Sequence, residues 1–382
     1  MTYDVKALRA REFPWAERGE SLYMDHASTG PLPARTRDAI ASLGARRAEP
    51  WRLTQDDYYP VHAKAREKCA QLIGATPDTI ALMTNTSHGV NLAARSFAFG
   101  NGDVILSTHG EFPANVYPWI AAARERGAEF RLLPLVGDWP DEAALMRMIE
   151  SDPRVKVVSV SWVSFWSGHR FDIAAIGAAC RARGILFFVD GIQGLGPLTL
   201  DVIAANVDVF ACGAQKWLVS PWGVGFTYVR KELIAKLEPH EVGWWAQASS
   251  GDYAKFLDYD PTWADSARRF EVITLDFVGF NAMAESIGLL LELGPAAIEA
   301  HVKSLADRAI AFADSTKGVE FVTPREPARR AGVLAFRTKD VAASSARLTA
   351  AKVTHSVRIG CIRLAPHFYN TMQEMDTALG LL

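Results

Sequence analysis

The stretch VDVFACGAQKWLVSPWGVGF, residues 207–226, joins two apolar, strand-like runs through a segment with a single lysine, Lys216. Runs of this kind predict strands covered on both faces, as parallel strands with helical crossovers are. Burying an ammonium without a partner is costly. Lys216 therefore either extends its charge to solvent along an apolar stem or performs chemistry that needs a dry site.

The same pattern continues on both sides of this stretch. Between about residues 60 and 230, apolar strand-like runs alternate with segments whose apolar residues recur at helical spacing. The predicted strands are TIALMT, DVILST, VKVVSVSW, ILFFVD, VDVFAC and GVGFTYV, and the predicted helices include VHAKAREKCAQLIG, NVYPWIAAARERG and IAAIGAACRARG. This alternation predicts an α/β fold with a mostly parallel sheet.

The pattern changes after VRKELIAKL. An aromatic, loop-like segment is followed by two helices, predicted over about residues 279–292 and 296–313, and then by GVLAFRT, VAASSARLTAA and CIRLAP, which alternate between strand and helix. The expected parts are an N-terminal segment that packs with the small domain (1–30), a large α/β domain (31–265) and a smaller α+β C-terminal domain (266–382).

The composition excludes several classes of protein. The 382 residues are 49% apolar and 22% charged, with a formal net charge of −2, which is an ordinary globular mixture without attraction to nucleic acid or anionic membranes. The four cysteines lie far apart, which predicts neither a metal site nor a disulfide framework and favours the reduced cytoplasm. No run reaches the roughly 18 apolar residues of a membrane span. GxGxxG, GxxxxGK[ST], HExxH and GxSxG are absent.

Polar residues follow three of the predicted strands, at the sheet edge where parallel sheets bind ligands. Thr86 and Ser87 stand at a predicted helix start, where they either form an anion cradle or simply cap the helix. Asp190 ends ILFFVD and needs a cationic or N–H partner, unless it caps the following turn. With Lys216, these residues are what a pyridoxal phosphate enzyme needs: a Schiff-base lysine, a partner for the ring nitrogen and a phosphate cradle.

Taken together, the motifs resemble the class V aminotransferase family of fold-type I pyridoxal phosphate enzymes, which includes cysteine desulfurases, kynureninase and isopenicillin N epimerase. In chain order, they are LYMDHASTGPLP, TNTSHGVNLAA, GEFPANVYPW, VDGIQGLG, AQKWLVSPWGVGF, RRFEVITLDF and IRLAPHFYNTMQEMD. The resemblance covers nearly the whole chain. It implies the fold-type I architecture and pyridoxal 5′-phosphate as the cofactor.

The resemblance implies a role for each matching residue. Lys216 forms the Schiff base, Asp190 pairs with the pyridine nitrogen and Gln193 lies near the ring hydroxyl. The other implied cofactor contacts are Thr86 and Ser87 at the phosphate, Phe112 stacked on the ring, and Thr274 reaching the phosphate of the neighbouring subunit. Arg363 matches the arginine that grips the substrate carboxylate, with a surface salt bridge as the alternative. A homodimer with shared active sites is therefore implied.

The sequence departs from the family near the cofactor. Gly213 and Gln215 stand where the family often has serine and histidine, so Gln215 is expected to donate to the phosphate instead. Ser164 is the expected substitute for a ring-contacting asparagine of desulfurases.

Two further departures disfavour a cysteine desulfurase. Desulfurases carry histidine where this chain has Phe112, and phenylalanine cannot transfer protons. They also carry a nucleophilic cysteine on a mobile loop, whereas HSVRIG and CIRLAP abut here. Cys361 is therefore predicted to be a packed thiol at the start of a strand.

These residues predict an enzyme that takes an α-amino acid as an external aldimine and removes its α-proton with Lys216 as general base. An aminotransferase is the first hypothesis. A C–S or kynureninase-like lyase or an amino-acid epimerase is the alternative, and a desulfurase is less favoured. A non-catalytic binding protein that has kept the fold is least favoured, because Lys216, Asp190 and Arg363 are all present.

Overall fold

The computed structural model describes residues 3–272 and 274–382, so Ile273 of RRFEVITLDF and the first two residues of the predicted N-terminal segment lie outside the described residues. The strands are β1 (Leu22–Tyr23), β2 (Ile80–Met83), β3 (Val104–Thr108), β4 (Glu129–Leu133), β5 (Leu135–Val136), β6 (Trp139–Pro140), β7 (Val155–Ser161), β8 (Leu186–Asp190), β9 (Val209–Gly213), β10 (Gly225–Val229), β11 (Val319–Phe321), β12 (Leu334–Thr338), β13 (Val353–Thr354), β14 (Ser356–Arg358) and β15 (Cys361–Leu364). The α-helices are α1 (Val5–Glu12), α2 (Ala34–Ala48), α3 (Gln55–Ile73), α4 (Thr86–Ser96), α5 (Tyr117–Arg126), α6 (Glu142–Ser151), α7 (Ile173–Arg183), α8 (Lys231–Ile234), α9 (Phe277–Leu293), α10 (Pro295–Ser315), α11 (Val341–Ala350) and α12 (Met372–Leu379).

The large sheet has seven strands in the order β2-β10-β9-β8-β7-β3-β4. Strands β9, β8, β7, β3 and β4 run parallel, while β10 is antiparallel to both of its neighbours. The predicted mostly parallel sheet is confirmed, and each strand predicted within it is present. The sequence pattern does not predict β4, because this edge strand is largely half-buried or exposed and lacks a uniformly apolar run.

Both faces of the large sheet are covered, which explains the apolar strands. Along β8, Phe188 packs into a cluster with residues of α4 and α5, such as Trp119. Its neighbours Phe187 and Val189 pack on the opposite face with residues of α3, α6, α7 and α9. Successive side chains of a strand point to opposite faces, so a strand between two helical layers is apolar at every position.

A second sheet, β11-β12-β15-β14, is antiparallel throughout. Residues of α10, α11 and α12 form one hydrophobic cluster with it. Strand β1 pairs in parallel with β13, and Asp25 forms a parallel bridge with Ala365. Residues 22–25 therefore lie against the C-terminal part of the chain.

Helices α9 and α10 are the two that the sequence predicts at about 279–292 and 296–313, and only Gly294 separates them. Helix α9 packs against α2 and α3, where Glu285 pairs with Lys64 (2.7 Å) and Ser286 bonds to Thr36 (2.7 Å). Within the described ranges, no single helix is long and apolar enough to span a membrane; the pair α9 and α10, bent by 78°, satisfies the requirement by length and composition alone. The predicted domain boundaries stay predictions.

Candidate active site

The predicted residues meet at the carboxyl ends of the parallel strands. Asp190 is the last residue of β8, and Ser161, its register partner, is the last residue of β7. Gly213 ends β9, and Lys216 follows in the connection to β10. This is the edge at which open parallel sheets bind ligands.

A tightly held connection carries Lys216. Trp217 and Val219 are fully buried, and the Val219 N–H donates to the Lys216 carbonyl (3.1 Å). Val219 has a φ of 45°, a left-handed conformation that is unfavourable for a β-branched residue and persists where surrounding contacts enforce it. One such contact comes from Ser286 Oγ, which donates to the Val219 carbonyl (3.0 Å). The backbone therefore fixes the direction in which the lysine leaves the chain.

The Lys216 amine lies beside an aromatic ring and near several ionisable side chains. Its Nζ is 5.5 Å from the centre of the Phe112 ring, and it takes part in no hydrogen bond or ion pair with the part of the chain that the structure describes. Burial lowers the pKa of Lys216 from 10.5 to about 8, while the nearby Asp190 carboxylate opposes this shift and the Arg363 charge reinforces it. With a pKa of about 8, a substantial fraction of the amine is neutral at a pH near 8. A nucleophilic amine or a general base requires this neutral form.

Asp190 offers a buried acceptor beside this amine. The side chain is 2% exposed, and the Ile192 N–H donates to its Oδ1 (3.0 Å). Its Oδ2 accepts from no donor among residues 3–272 and 274–382. Burial raises the pKa of Asp190 to about 6, against the lowering effects of the Ile192 hydrogen bond and the Lys216 charge. The carboxylate can therefore gain stability from a cationic N–H donor.

The residues of the predicted anion cradle, Thr86 and Ser87, lie in the first turn of α4. Thr86 Oγ1 accepts from the Gly213 N–H (2.8 Å), so its own hydroxyl proton is left to donate. Ser87 follows in the same turn and is half-buried. The helix lies close to the sheet because Gly89 has no side chain; a Cβ there would lie 2.3 Å from Thr227 Oγ1. Backbone N–H groups at such a helix start attract anions.

Gln215 occupies the space beside Gly213. A Cβ on Gly213 would lie 2.6 Å from Gln215 Oε1 and 3.3 Å from Thr86 Oγ1. A serine side chain at Gly213 would therefore displace the glutamine. Gln215 Oε1 and Thr86 Oγ1 thus lie on the same side of Gly213, and donation from Gln215 to the phosphate stays a prediction.

Arg363 is buried on β15, with 2% of its surface exposed, and it forms an ion pair with Asp25 that lies inside the protein and not at the surface. Its predicted contact with the substrate carboxylate stays a prediction. Its Nη2 donates to Asp25 Oδ1 (3.0 Å) and Ser28 Oγ (2.7 Å). Its Nε donates to Ser356 Oγ (3.0 Å) and its Nη1 to the Phe165 carbonyl (2.7 Å). One N–H on Nη1 is left, since a guanidinium has five donors. A substrate carboxylate that bound Arg363 would share the guanidinium with Asp25.

The structure shows the surroundings of three further predicted residues, Gln193, Ser164 and Thr274, whose contacts with the cofactor stay predictions. Gln193 Nε2 donates to the Ala27 carbonyl (3.0 Å), and its Oε1 accepts from Trp217 Nε1 (2.7 Å), so this amide anchors the residue next to the lysine. Ser164 Oγ accepts a hydrogen bond of 3.3 Å from a backbone N–H in the turn after β7. Thr274 is exposed on the surface of the chain, and its contact with a neighbouring subunit's cofactor stays a prediction.

The cysteines lie away from any mobile loop. All four are buried, and a two-residue turn, Ile359 and Gly360, joins β14 to β15. Both turn residues have positive φ, 48° and 72°, as tight hairpins require. Burial raises the pKa of the Cys361 thiol. The prediction of a packed Cys361 without an intervening loop is confirmed.

Sequence patterns do not single out two carboxylates of the site, Asp25 and Glu111, although both lie in motifs quoted above. Asp25 directly follows an apolar run, as Asp190 does, and this signal could have identified it. Glu111 lies in the polar turn HGEFPAN, where no spacing marks it. Its burial depends on contacts with a distant strand.

A profile of the family described as Aminotransferase class-V matches residues 22–375. The chain belongs to this family. Pyridoxal 5′-phosphate is its cofactor, and the groups at the strand ends fit that molecule. Among the described residues, Lys216 Nζ, Asp190 Oδ2 and the Thr86 hydroxyl proton all have unused bonding capacity. An amine, a buried acceptor and a hydroxyl at a helix start suit the aldehyde, ring nitrogen and phosphate of the cofactor.

Named relatives of this class V protein differ in activity. The chain is 33% identical over 317 residues to the uncharacterized aminotransferase YcbU of Bacillus subtilis, covering 82% of this chain and 81% of that protein. It is 31% identical over 367 residues to isopenicillin N epimerase of Streptomyces clavuligerus, covering 92% of each. The apo structure of a cysteine desulfurase from Thermococcus onnurineus covers 100% of this chain and 98% of its own, at 23% identity and a TM-score of 0.86. This last likeness supports the fold-type I architecture alone.

Proposed function

We propose that this class V protein is an enzyme that removes the α-proton of an α-amino acid and transfers the amino group to a 2-oxo acid. The observation that carries the proposal is the Lys216 amine, whose pKa burial lowers to about 8 within range of the charges of Asp190 and Arg363. An amine of this kind can act as both nucleophile and base near neutral pH.

Each residue has a distinct task in this proposal. When bound, pyridoxal phosphate supplies a ring that takes up the electron pair left at the α-carbon. Lys216 would hold the cofactor through its amine, and its Nζ would take the α-proton and return it to another atom. Asp190 keeps the ring nitrogen protonated. Arg363 orients the substrate through its carboxylate, as a planar donor can.

Phe112 supports the assignment of proton transfer to Lys216. Its ring lies near the amine and packs edge-on against Phe165 at 5.2 Å. Neither ring can carry a proton. The Phe112 ring instead places apolar surface beside the amine.

An amino-acid epimerase is the second candidate, favoured by the likeness to isopenicillin N epimerase over 92% of both chains. The same residues would serve it, because epimerisation also begins with removal of the α-proton. The difference lies in where the proton would return: to the opposite face of the same carbon in an epimerase, and to a different atom in an aminotransferase.

A homodimer with shared active sites is part of the proposal. Trp222, in the connection that carries Lys216, is 75% exposed, and Leu257 and Tyr259 are 79% and 80% exposed. Large exposed apolar side chains mark interaction surfaces. A second copy of the chain would cover such residues and would bring Thr274 to a neighbouring site.

A substrate screen tests the proposed reaction. The purified holoenzyme is incubated with L- and D-α-amino acids, with and without 2-oxo acid acceptors, and the products are measured by chiral amino-acid analysis. Amino transfer requires equal amounts of new 2-oxo acid and new amino acid, and it requires the acceptor. The opposite enantiomer formed without an acceptor would establish the epimerase instead, and ammonia or sulfide release would establish a lyase. Absence of α-hydrogen exchange in D₂O across the panel would contradict the proposal.

Replacing Cys361 by serine is expected to leave every activity within about twofold of the wild type, since a buried thiol with a raised pKa is a poor nucleophile. The measurement is sulfide release from L-cysteine, together with protein-bound persulfide. Cys180→Ser, at another buried thiol, controls for packing. Sulfide production that disappears only in Cys361→Ser, with persulfide trapped on that residue, would make this chain a desulfurase.

A further inference from the structure

A single carboxylate fastens the turn that carries Phe112 to the large sheet. Glu111 Oε1 accepts from the Ser161 N–H (2.7 Å). Its Oε2 accepts from the Ser161 hydroxyl and from Asn115 Nδ2 (3.1 Å). Asn115 Oδ1 in turn accepts from Ser159 Oγ (2.8 Å). Both ends of the turn are thus tied to the last residues of β7.

The position of this carboxylate is energetically costly. Burial raises the pKa of Glu111 to about 7, and the charge of Asp190 adds to the shift, while the hydrogen bonds from Ser161 and Asn115 oppose it. A buried acid beside another acid is retained at a cost in stability. None of the catalytic tasks assigned above uses Glu111.

The rest of the turn is largely exposed. His109, Gly110 and Pro113 are exposed, and Phe112 is 43% exposed. A segment with few buried contacts opens easily unless specific bonds close it. The Phe112 ring nevertheless has to stay near Lys216 if it is to cover the amine and the cofactor.

We propose that Glu111 is a positioning residue, whose carboxylate bonds to the end of β7 and thereby holds the Phe112 ring over the Lys216 amine. The inference rests on the cofactor site and not on the choice among transfer, epimerisation and elimination. Glu111 acts through Phe112 and touches no reacting atom.

Hydrogen exchange of the apoprotein tests the anchoring without cofactor or substrate. Glu111→Ala should speed exchange in the peptide covering residues 109–116 by about tenfold or more, because the local opening free energy falls with the lost charge-assisted bonds. Ser161→Ala, which removes only the hydroxyl, should give a smaller effect at the same place. Glu125→Ala, at an exposed position on α5, is the matched control and should change nothing there. An unchanged exchange rate in Glu111→Ala would overturn the anchoring.

A double-mutant cycle with Phe112→Ala tests whether the carboxylate acts through the ring. The readout is the dissociation constant of pyridoxal phosphate. Glu111→Ala should weaken binding by about tenfold in the otherwise unchanged protein and by less than about twofold in the Phe112→Ala background. Glu111→Gln keeps an acceptor for the Ser161 N–H and should restore part of the affinity. Additive effects of the two alanine substitutions would overturn the proposal, because Glu111 would then act independently of Phe112.

The two readouts also separate this inference from the proposed function. A protein that binds the cofactor normally but transfers no amino group would contradict the proposed reaction, while the exchange and affinity measurements would still decide the role of Glu111.

Discussion

Lys216→Ala is expected to give a folded protein without any borohydride-trapped cofactor and with turnover lowered by roughly 10³-fold or more, since a positioned base contributes about 10²–10⁴-fold. The loss of covalent attachment adds to this effect. The fold should persist, because the buried Trp217 and Val219 that hold the connection remain. Mass spectrometry of the reduced wild type should find the pyridoxyl group on Lys216.

The matched control is Lys231→Ala, since Lys231 is 72% exposed on α8. It should retain both the adduct and the activity. A pyridoxyl group on any lysine other than Lys216 would contradict the site assignment.

The pKa of Lys216 predicts how the rate of cofactor uptake depends on pH. The neutral amine is the reactive form, and burial brings the pKa of Lys216 down to about 8 from an ordinary 10.5. The rate at which the apoprotein takes up the cofactor should therefore rise with pH through about 8 and level off above it. A rate that rises only near pH 10 would show that the amine is solvated like a surface lysine.

Asp190→Asn is expected to retain the cofactor and to lose roughly 10²-fold or more in turnover, a loss typical of removing one preorganised electrostatic contact. A neutral amide cannot hold the proton on the ring nitrogen, so removal of the α-proton itself should slow. Asp190 is 2% exposed, so water cannot substitute for the lost charge. Exchange of the substrate α-hydrogen in D₂O, followed by proton NMR, measures this step directly.

Asp201→Asn is the matched control for that variant. Asp201 also accepts from the backbone N–H two residues further on, at Ile203 (2.9 Å), but it is exposed. The Asp201→Asn variant should exchange the substrate α-hydrogen at the same rate as the wild type. An unchanged rate in Asp190→Asn would remove this carboxylate from the mechanism.

Local sequence patterns carry much of the fold and part of the site. The strands of the sheet interior are largely apolar, so they are recognisable one by one, and the rule on strand ends then points to Asp190 and Lys216 as candidates. Strand β4 is missed because an edge strand needs no apolar run. The antiparallel direction of β10 is missed because direction depends on the path of the connection and leaves no mark on composition.

Other features depend on residues that meet only after folding. Glu111 is held in place because it reaches Ser161, 50 positions away in the chain, and no local spacing encodes that contact. The pairing of Gln193 with Trp217 is likewise tertiary. A family resemblance can suggest that such a residue contacts a cofactor, but the hydrogen bonds it makes to its own chain become visible only in the structure.

The ion pair between Arg363 and Asp25 joins residues that are 338 positions apart. Synthesis on the ribosome proceeds from Asp25 towards Arg363, so the strands that carry Asp190 and Lys216 emerge first. At about 5–20 residues per second, Arg363 follows Lys216 by roughly 7–30 s. During that interval the nascent chain has its reactive amine but lacks the guanidinium that would hold an amino acid by its carboxylate. With the proposed role of Arg363, translation order would delay substrate binding until the last strand is made.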